Sequence, residues 1–133
     1  MIKIITLLFG ISLFFSFTDW QNSDLTKSIS RGKDIYTDFC VTCHKPNGEG
    51  TPKFFPPLAK SDYLAANRAE SIKSVKYGQK GKITVNGITY NGMMPNPGLT
   101  DTEVADVMNY ILNSWGNQSD KMVTVEEVLR LKP

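Results

Sequence analysis

Cys40-Val41-Thr42-Cys43-His44 is the stretch against which the rest of the chain makes sense. Two residues between the cysteines set their side chains about one helical turn apart, a spacing at which both thiols reach the edge of one flat macrocycle. C-x-x-C-H is the attachment signature of c-type haem. On that reading Cys40 and Cys43 form thioether bonds to the haem vinyl groups, and His44 presents an imidazole nitrogen to the iron. Three rivals share the pattern. A thioredoxin-like redox pair needs its C-x-x-C at a helix start beside a β-α-β pattern, and no parallel-strand run precedes Cys40. A structural zinc site needs four ligands, and the chain holds two cysteines and one histidine. The third, two buried cysteines beside a surface histidine, has to be weighed against the segments downstream.

The totals bound what those segments can build. A chain of 133 residues, 41% hydrophobic and 21% charged, makes one small globular domain, and a core of that size gains from the apolar faces of a covalent cofactor. A net charge of +2 excludes nucleic acid as an expected partner, yet the charge is unevenly spread. Eight basic residues lie between Lys45 and Lys82 (Lys45, Lys53, Lys60, Arg68, Lys73, Lys76, Lys80, Lys82) against three acids, whereas six acids face three bases from Asp101 to Pro133. This is either an ordinary solvated surface or a Lys-rich face at the haem edge that steers the acidic surface of a redox partner.

Residues 1–20 carry one lysine followed by an apolar stretch from Ile4 to Phe17. Fourteen residues are too few for a bilayer-spanning helix, which needs about 20, and suit the h-region of an export signal. Export is therefore expected, with an uncleaved membrane anchor as the alternative. Residues 21–27 read as a linker, 28–118 as the folded domain, and 119–133 as a short helix and tail.

Within the domain, a first helix is expected from about Ser28 to the cysteines, with Ile29, Gly32, Tyr36 and Phe39 on one face. Gly32 costs such a helix about 1 kcal/mol against Ala, which suggests that another helix crosses closely there. The prolines of Thr51 to Ala59 forbid helix and predict a stiff extended segment beside His44. There a carbonyl of Pro56 or Pro57 can fix the imidazole tautomer; a plain rigid loop is the alternative. Asn67 and Glu70 predict a capped helix start, with Ile72 and Val75 inward and Gly78 as the stop. Asn86-Gly87 between β-branched runs predicts a β-hairpin over Ile83 to Tyr90. Thr100-Asp101-Thr102-Glu103 is a capping box that opens a long helix bearing Val104, Val107, Met108, Ile111, Leu112 and Trp115 and closed by Gly116. A second cap signature at Thr124 to Glu127 predicts a short helix whose purpose the sequence does not reveal.

Between hairpin and last long helix lies Asn91-Gly92-Met93-Met94-Pro95-Asn96-Pro97-Gly98. With one histidine in the chain, a thioether is the obvious sixth iron ligand. Pro95 fixes the backbone after Met94 and removes a donor from a loop that must lie on an apolar face, which favours Met94; Met93 is the rival, its alternative role a gap-filling core side chain. With both axial positions filled, the iron exchanges one electron and binds no substrate, so the protein is a carrier and not an enzyme. A haem enzyme or gas sensor with a labile sixth ligand is the competing class, but it needs distal polar residues that the Met94 region lacks.

With C-x-x-C-H, Gly32 and Tyr36 before it, and a Met-Pro loop followed by a terminal helix, the chain resembles the class I mono-haem c-type cytochromes from about Lys27 to Asn117. Phe55-Pro56-Pro57-Leu58-Ala59, Ile83-Thr84-Val85-Asn86-Gly87 and Asn113-Ser114-Trp115-Gly116-Asn117 are most similar to a bacterial branch. In that branch the domain is either free or a module of periplasmic oxidoreductases, among them copper nitrite reductases and quinohaemoprotein or molybdenum dehydrogenases. The resemblance implies an all-α cytochrome c fold, four to five helices around one covalent haem c with the first and last helices crossing. It also implies Cys40 and Cys43 as thioether anchors, His44 as proximal ligand and Met94 as distal ligand. The doubled Met93-Met94 departs from the family pattern and leaves the distal position open to either.

Overall fold

A computed structural model of the protein describes residues 23–119 and 121–133. The export signal or anchor expected over residues 1–20 lies outside them, and among the described residues no helix is long and apolar enough to cross a membrane. Helix α1 occupies residues 23–39. Residues 23–27, expected as the end of a linker, are thus helical. The buried line of α1 is Ser28, Gly32 and Tyr36, one residue per turn. Phe39, expected on the same face, is 55% exposed, because it sits at the helix end beyond the contacts made by Tyr36.

The rest follows in chain order as α2 (Val41–His44), α3 (Asp62–Ala66), α4 (Arg68–Tyr77), β1 (Gln79–Val85), β2 (Ile88–Met94), α5 (Asp101–Ile111) and α6 (Val125–Arg130). This is the expected cytochrome c architecture, mostly helical with one small antiparallel hairpin. The hairpin turns at Asn86 and Gly87, both left-handed, and pairs Val85 with Ile88 through to Gln79 with Met94. Its strands are longer than expected, and Met93 and Met94 end β2 instead of opening a loop.

Helices α1 and α5 cross at Gly32, where a Cβ would overlap the Asp106 carbonyl oxygen and stand 2.8 Å from Tyr110 Cβ. Backbone meets backbone there, as the glycine suggested. Polar groups flank the crossing. Arg31 donates to both oxygens of Asp106 at 2.6 and 2.7 Å, Ser28 Oγ donates to Asp106 Oδ1 at 2.6 Å, and Asn109 Nδ2 donates to Ser28 Oγ at 2.9 Å. The buried carboxylate is therefore paired and hydrogen-bonded, the condition under which burying it is tolerated. On the other side the rings of Tyr36, Tyr110 and Trp115 cluster with centroids between 4.9 and 5.5 Å apart.

Helix α5 is capped as its sequence predicts: Thr100 Oγ1 accepts from the Glu103 N–H, and the Glu103 carboxylate accepts from the Thr100 N–H at 2.8 Å. It is not one-sided, however. Every residue from Val104 to Asn109 is buried, the mark of a central helix covered all round. It also stops at Ile111, short of the expected Trp115. Asn113 Nδ2 donates to the Asn109 carbonyl (2.8 Å), Ser114 Oγ to that of Tyr110 (2.6 Å) and Asn117 Nδ2 to that of Ile111 (2.9 Å). Polar side chains thus take the carbonyls that further helix would need.

The C-terminal segment covers the remaining side of α5 and braces α4. Val123 and Val128 are fully buried. The Asn109 amide accepts from the Val123 N–H at 2.7 Å and donates to the Val123 carbonyl at 2.9 Å. Arg68 grips Glu127 with two nitrogens at 2.8 and 2.9 Å and donates to the Lys121 and Met122 carbonyls, each at 3.1 Å. The expected cap of α4 is absent. Asn67 also closes α3, so its side chain donates to the Tyr63 carbonyl at 3.2 Å, and Glu70 pairs with Lys73 at 2.7 Å.

Candidate functional site

A largely apolar cleft lies between α2, the proline segment, α4 and α5 on one hand and the hairpin on the other. Cys40, Cys43 and His44 form part of its wall, and Met93 and Met94 stand on another part. The short α2 explains the first group. Cys40 is its N-cap, and the helix from Val41 onward carries Cys43 and His44. Tyr36 holds the exit of this helix by donating its hydroxyl to the Lys45 carbonyl at 2.7 Å. Lys45 then turns the chain with φ 68°. Burial pushes the Cys40 thiol up to about 11, with a further push from Cys43, and raises the Tyr36 hydroxyl. Both groups are therefore neutral at physiological pH.

His44 is 9% exposed. Its Nδ1–H donates to the Pro56 carbonyl at 3.1 Å, which leaves Nε2 unprotonated, the form that binds a metal. Burial lowers the pKa of His44, opposed in part by the Pro56 bond. Of the two prolines proposed for this contact, Pro56 makes it. Gly50 makes the approach possible. It has φ +64°, accepted by few other residues, and a Cβ there would overlap the Phe55 carbonyl oxygen and stand 2.7 Å from that of Pro56.

The hairpin turns a flat inner face to the cleft. Gln79, Gly81, Ile83 and Val85 of β1 line it, with Tyr90, Gly92 and Met94 of β2. Gly81 pairs with Gly92 in the register, so no side chain stands on the sheet at that level. Alternation along β2 separates the two methionines: Met94 is half-buried against the core, whereas Met93 is 70% exposed at the mouth. Met108 and Ile111 of α5 close the back. They can do so because α5 is buried on every side, not only where it meets α1.

A flat, apolar space bounded by two thiols, one imidazole with a free nitrogen and one half-buried thioether suits a metal macrocycle. Its donors match covalent attachment and His/Met ligation. Among the described residues no group of three or more His, Cys, Asp or Glu could hold a bare metal ion.

Comparison with known proteins agrees with this chemistry. The family model described as Cytochrome c matches residues 29–115. Cytochrome c-552 of Thermus thermophilus is 40% identical over 110 residues, covering 76% of this chain and 83% of the relative. The cytochrome c subunit of a quinone alcohol dehydrogenase from Gluconacetobacter polyoxogenes is 30% identical over 115 residues, 76% of this chain and 22% of that subunit. The gluconate 2-dehydrogenase cytochrome c subunit of Pantoea cypripedii is 32% identical over 123 residues, 84% of this chain and 27% of that subunit. The chain belongs to the cytochrome c family, as an electron carrier with covalently bound haem c.

Proposed function

We propose that Cys40 and Cys43 are the thioether anchors, His44 the proximal iron ligand and Met94 the distal one, in a protein exported from the cytoplasm to pass single electrons between redox partners. The observation that carries this reading is that one apolar cleft is lined by both His44, with Nδ1 committed to Pro56, and Met94, the half-buried member of the methionine pair. When bound, haem supplies a one-electron couple whose reduced state a thioether ligand favours. The chain's own part is to hold His44 in one tautomer, present sulfur from a strand end and keep water from both with Leu64, Val75, Met108 and Ile111. The test is the spectrum of holoprotein made in cells that attach haem c. Met94→Ala abolishes the sulfur-to-iron absorption band and lowers the potential; Met93→Ala leaves both. The reverse result moves the ligand to Met93.

The docking face is narrower than the run of basic residues suggested. Arg68, Lys73 and Lys76 are engaged by Glu127, Glu70 and Asp101. At the mouth stand exposed Phe54 and Met93, with Lys53 next to Phe54 in sequence and Lys80 opposite Met93 in the hairpin. An apolar centre edged by these lysines fits a partner with the reverse charge. Electron exchange with an acidic redox protein therefore slows as salt rises, and Lys53→Gln/Lys80→Gln flattens that dependence, measured by stopped flow.

A second reading makes the chain a subunit of a dehydrogenase complex. The likeness to cytochrome subunits of alcohol and gluconate dehydrogenases favours it. Size after gentle extraction from the native source separates it from a free shuttle.

A further inference from the structure

The short stretch that delivers Met94 is fixed at both ends against α4. At the near end, Gly78 closes α4 with φ +84°, and a Cβ there would stand 2.7 Å from the Met94 carbonyl oxygen and 2.9 Å from the Asn96 nitrogen. At the far end, Asp101 opens α5. Residues 95–100 between them hold Pro95 and Pro97 and form no helix or strand. Lys76, in the last turn of α4, spans the gap. Its Nζ lies 2.8 Å from Asp101 Oδ1 and donates to the Val128 carbonyl at 3.0 Å, with its side chain 14% exposed. Tyr77 adds a second tie, its hydroxyl donating to the Leu131 carbonyl at 2.9 Å. Neither Lys76 nor Asp101 lines the cleft.

We propose that Lys76 is a positioning residue for Met94: by pinning Asp101 and the C-terminal segment to the end of α4, it fixes the far end of the segment whose near end carries the sulfur. The inference rests on the reading of Met94 as distal ligand. A ligand on a tethered segment outcompetes ligands from solution through its high local concentration, which falls when one end of the tether is released. Lys76 thus sets how firmly the sixth position is held, although it touches neither ligand nor cleft.

The test titrates ferric holoprotein with imidazole and follows loss of the sulfur-to-iron band. Lys76→Met keeps the aliphatic stem and removes the ammonium; it raises the apparent affinity for imidazole about tenfold, the equivalent of one charge-assisted hydrogen bond. Asp101→Asn breaks the same pair from the other side and raises it likewise, and the double variant adds little to either single one. Lys76→Arg keeps the wild-type affinity. So does Lys73→Met, which breaks the Glu70 pair on the same helix. If Lys76→Met and Asp101→Asn lower the unfolding midpoint yet bind imidazole as wild type does, Lys76 is a structural tie only and the proposal is overturned. A wild-type protein without the band, or a Met94→Ala variant that retains it, removes the ligand reading and this inference with it.

Discussion

Single residues decide how closely the parts of this molecule approach. Gly32 is the sharpest case: added helix propensity there favours alanine by about 1 kcal/mol, but the new Cβ would overlap the Asp106 carbonyl oxygen. Overlap with backbone cannot be relieved by a rotamer change, so the steric cost outweighs propensity. Gly32→Ala is expected to destabilise the holoprotein by about 3 kcal/mol, read from guanidinium unfolding; a stabilised variant would mean that α1 and α5 do not meet here. The glycine was legible because it stands where nothing else explains it. Asp106 and Asn109 were not. On a helical wheel they look like solvent-facing residues, and their burial becomes tolerable only once Arg31, Ser28 and Val123 supply partners from distant parts of the chain.

At the scale of elements, the sequence marks beginnings better than ends. The Thr100 capping box and the Asn86-Gly87 turn are built from neighbours a few residues apart, and both form as their local chemistry demands. The end of α5 depends on Asn113, Ser114 and Asn117 reaching backward, and apolar spacing alone overshot it. Helix α6 was visible through its cap but without purpose, since its partners Arg68 and Lys76 lie over fifty residues upstream. Its attachment should depend on pH. The hydrogen bond from Arg68 holds the Glu127 carboxyl below its ordinary 4.5, opposed by partial burial. A folded-state pKa below the unfolded one means the stabilisation is complete above about 4.5 and fades as acid takes the folded protein through its lower value. Glu127→Gln should therefore cost about 1 kcal/mol at pH 7 and less as acid carries the folded protein through that lowered value, below which the two proteins converge. Denaturation midpoints across that range provide the measurement.

For the whole molecule the cleft is the dominant fact. Its walls, from Leu64, Val75, Met108 and Ile111 to the inner face of the hairpin, are apolar. Without a bound group these apolar walls stay exposed to water. Covalent haem therefore acts as a structural member as well as the redox centre. Replacing Cys40 and Cys43 together by alanine is expected to yield a colourless chain that loses most of its helical circular dichroism at 25 °C, since a group bound only by the folded state no longer stabilises it. A fully helical, cooperatively melting apo chain would show that the protein core suffices alone.

The five residues from Cys40 to His44, the Gly32 crossing, the hairpin and the cap of α5 follow from the sequence because each is set by local stereochemistry or by a covalent pattern. Fold class and cofactor come with them. Only the folded chain decides which methionine faces inward, that the carbonyl beside His44 is that of Pro56, that α5 is covered on every side, and that the C-terminal segment braces the end of α4. The physical reason is the same in each case: burial and partnership of a side chain are properties of elements packed from distant parts of the chain, and no local pattern encodes which of them will meet.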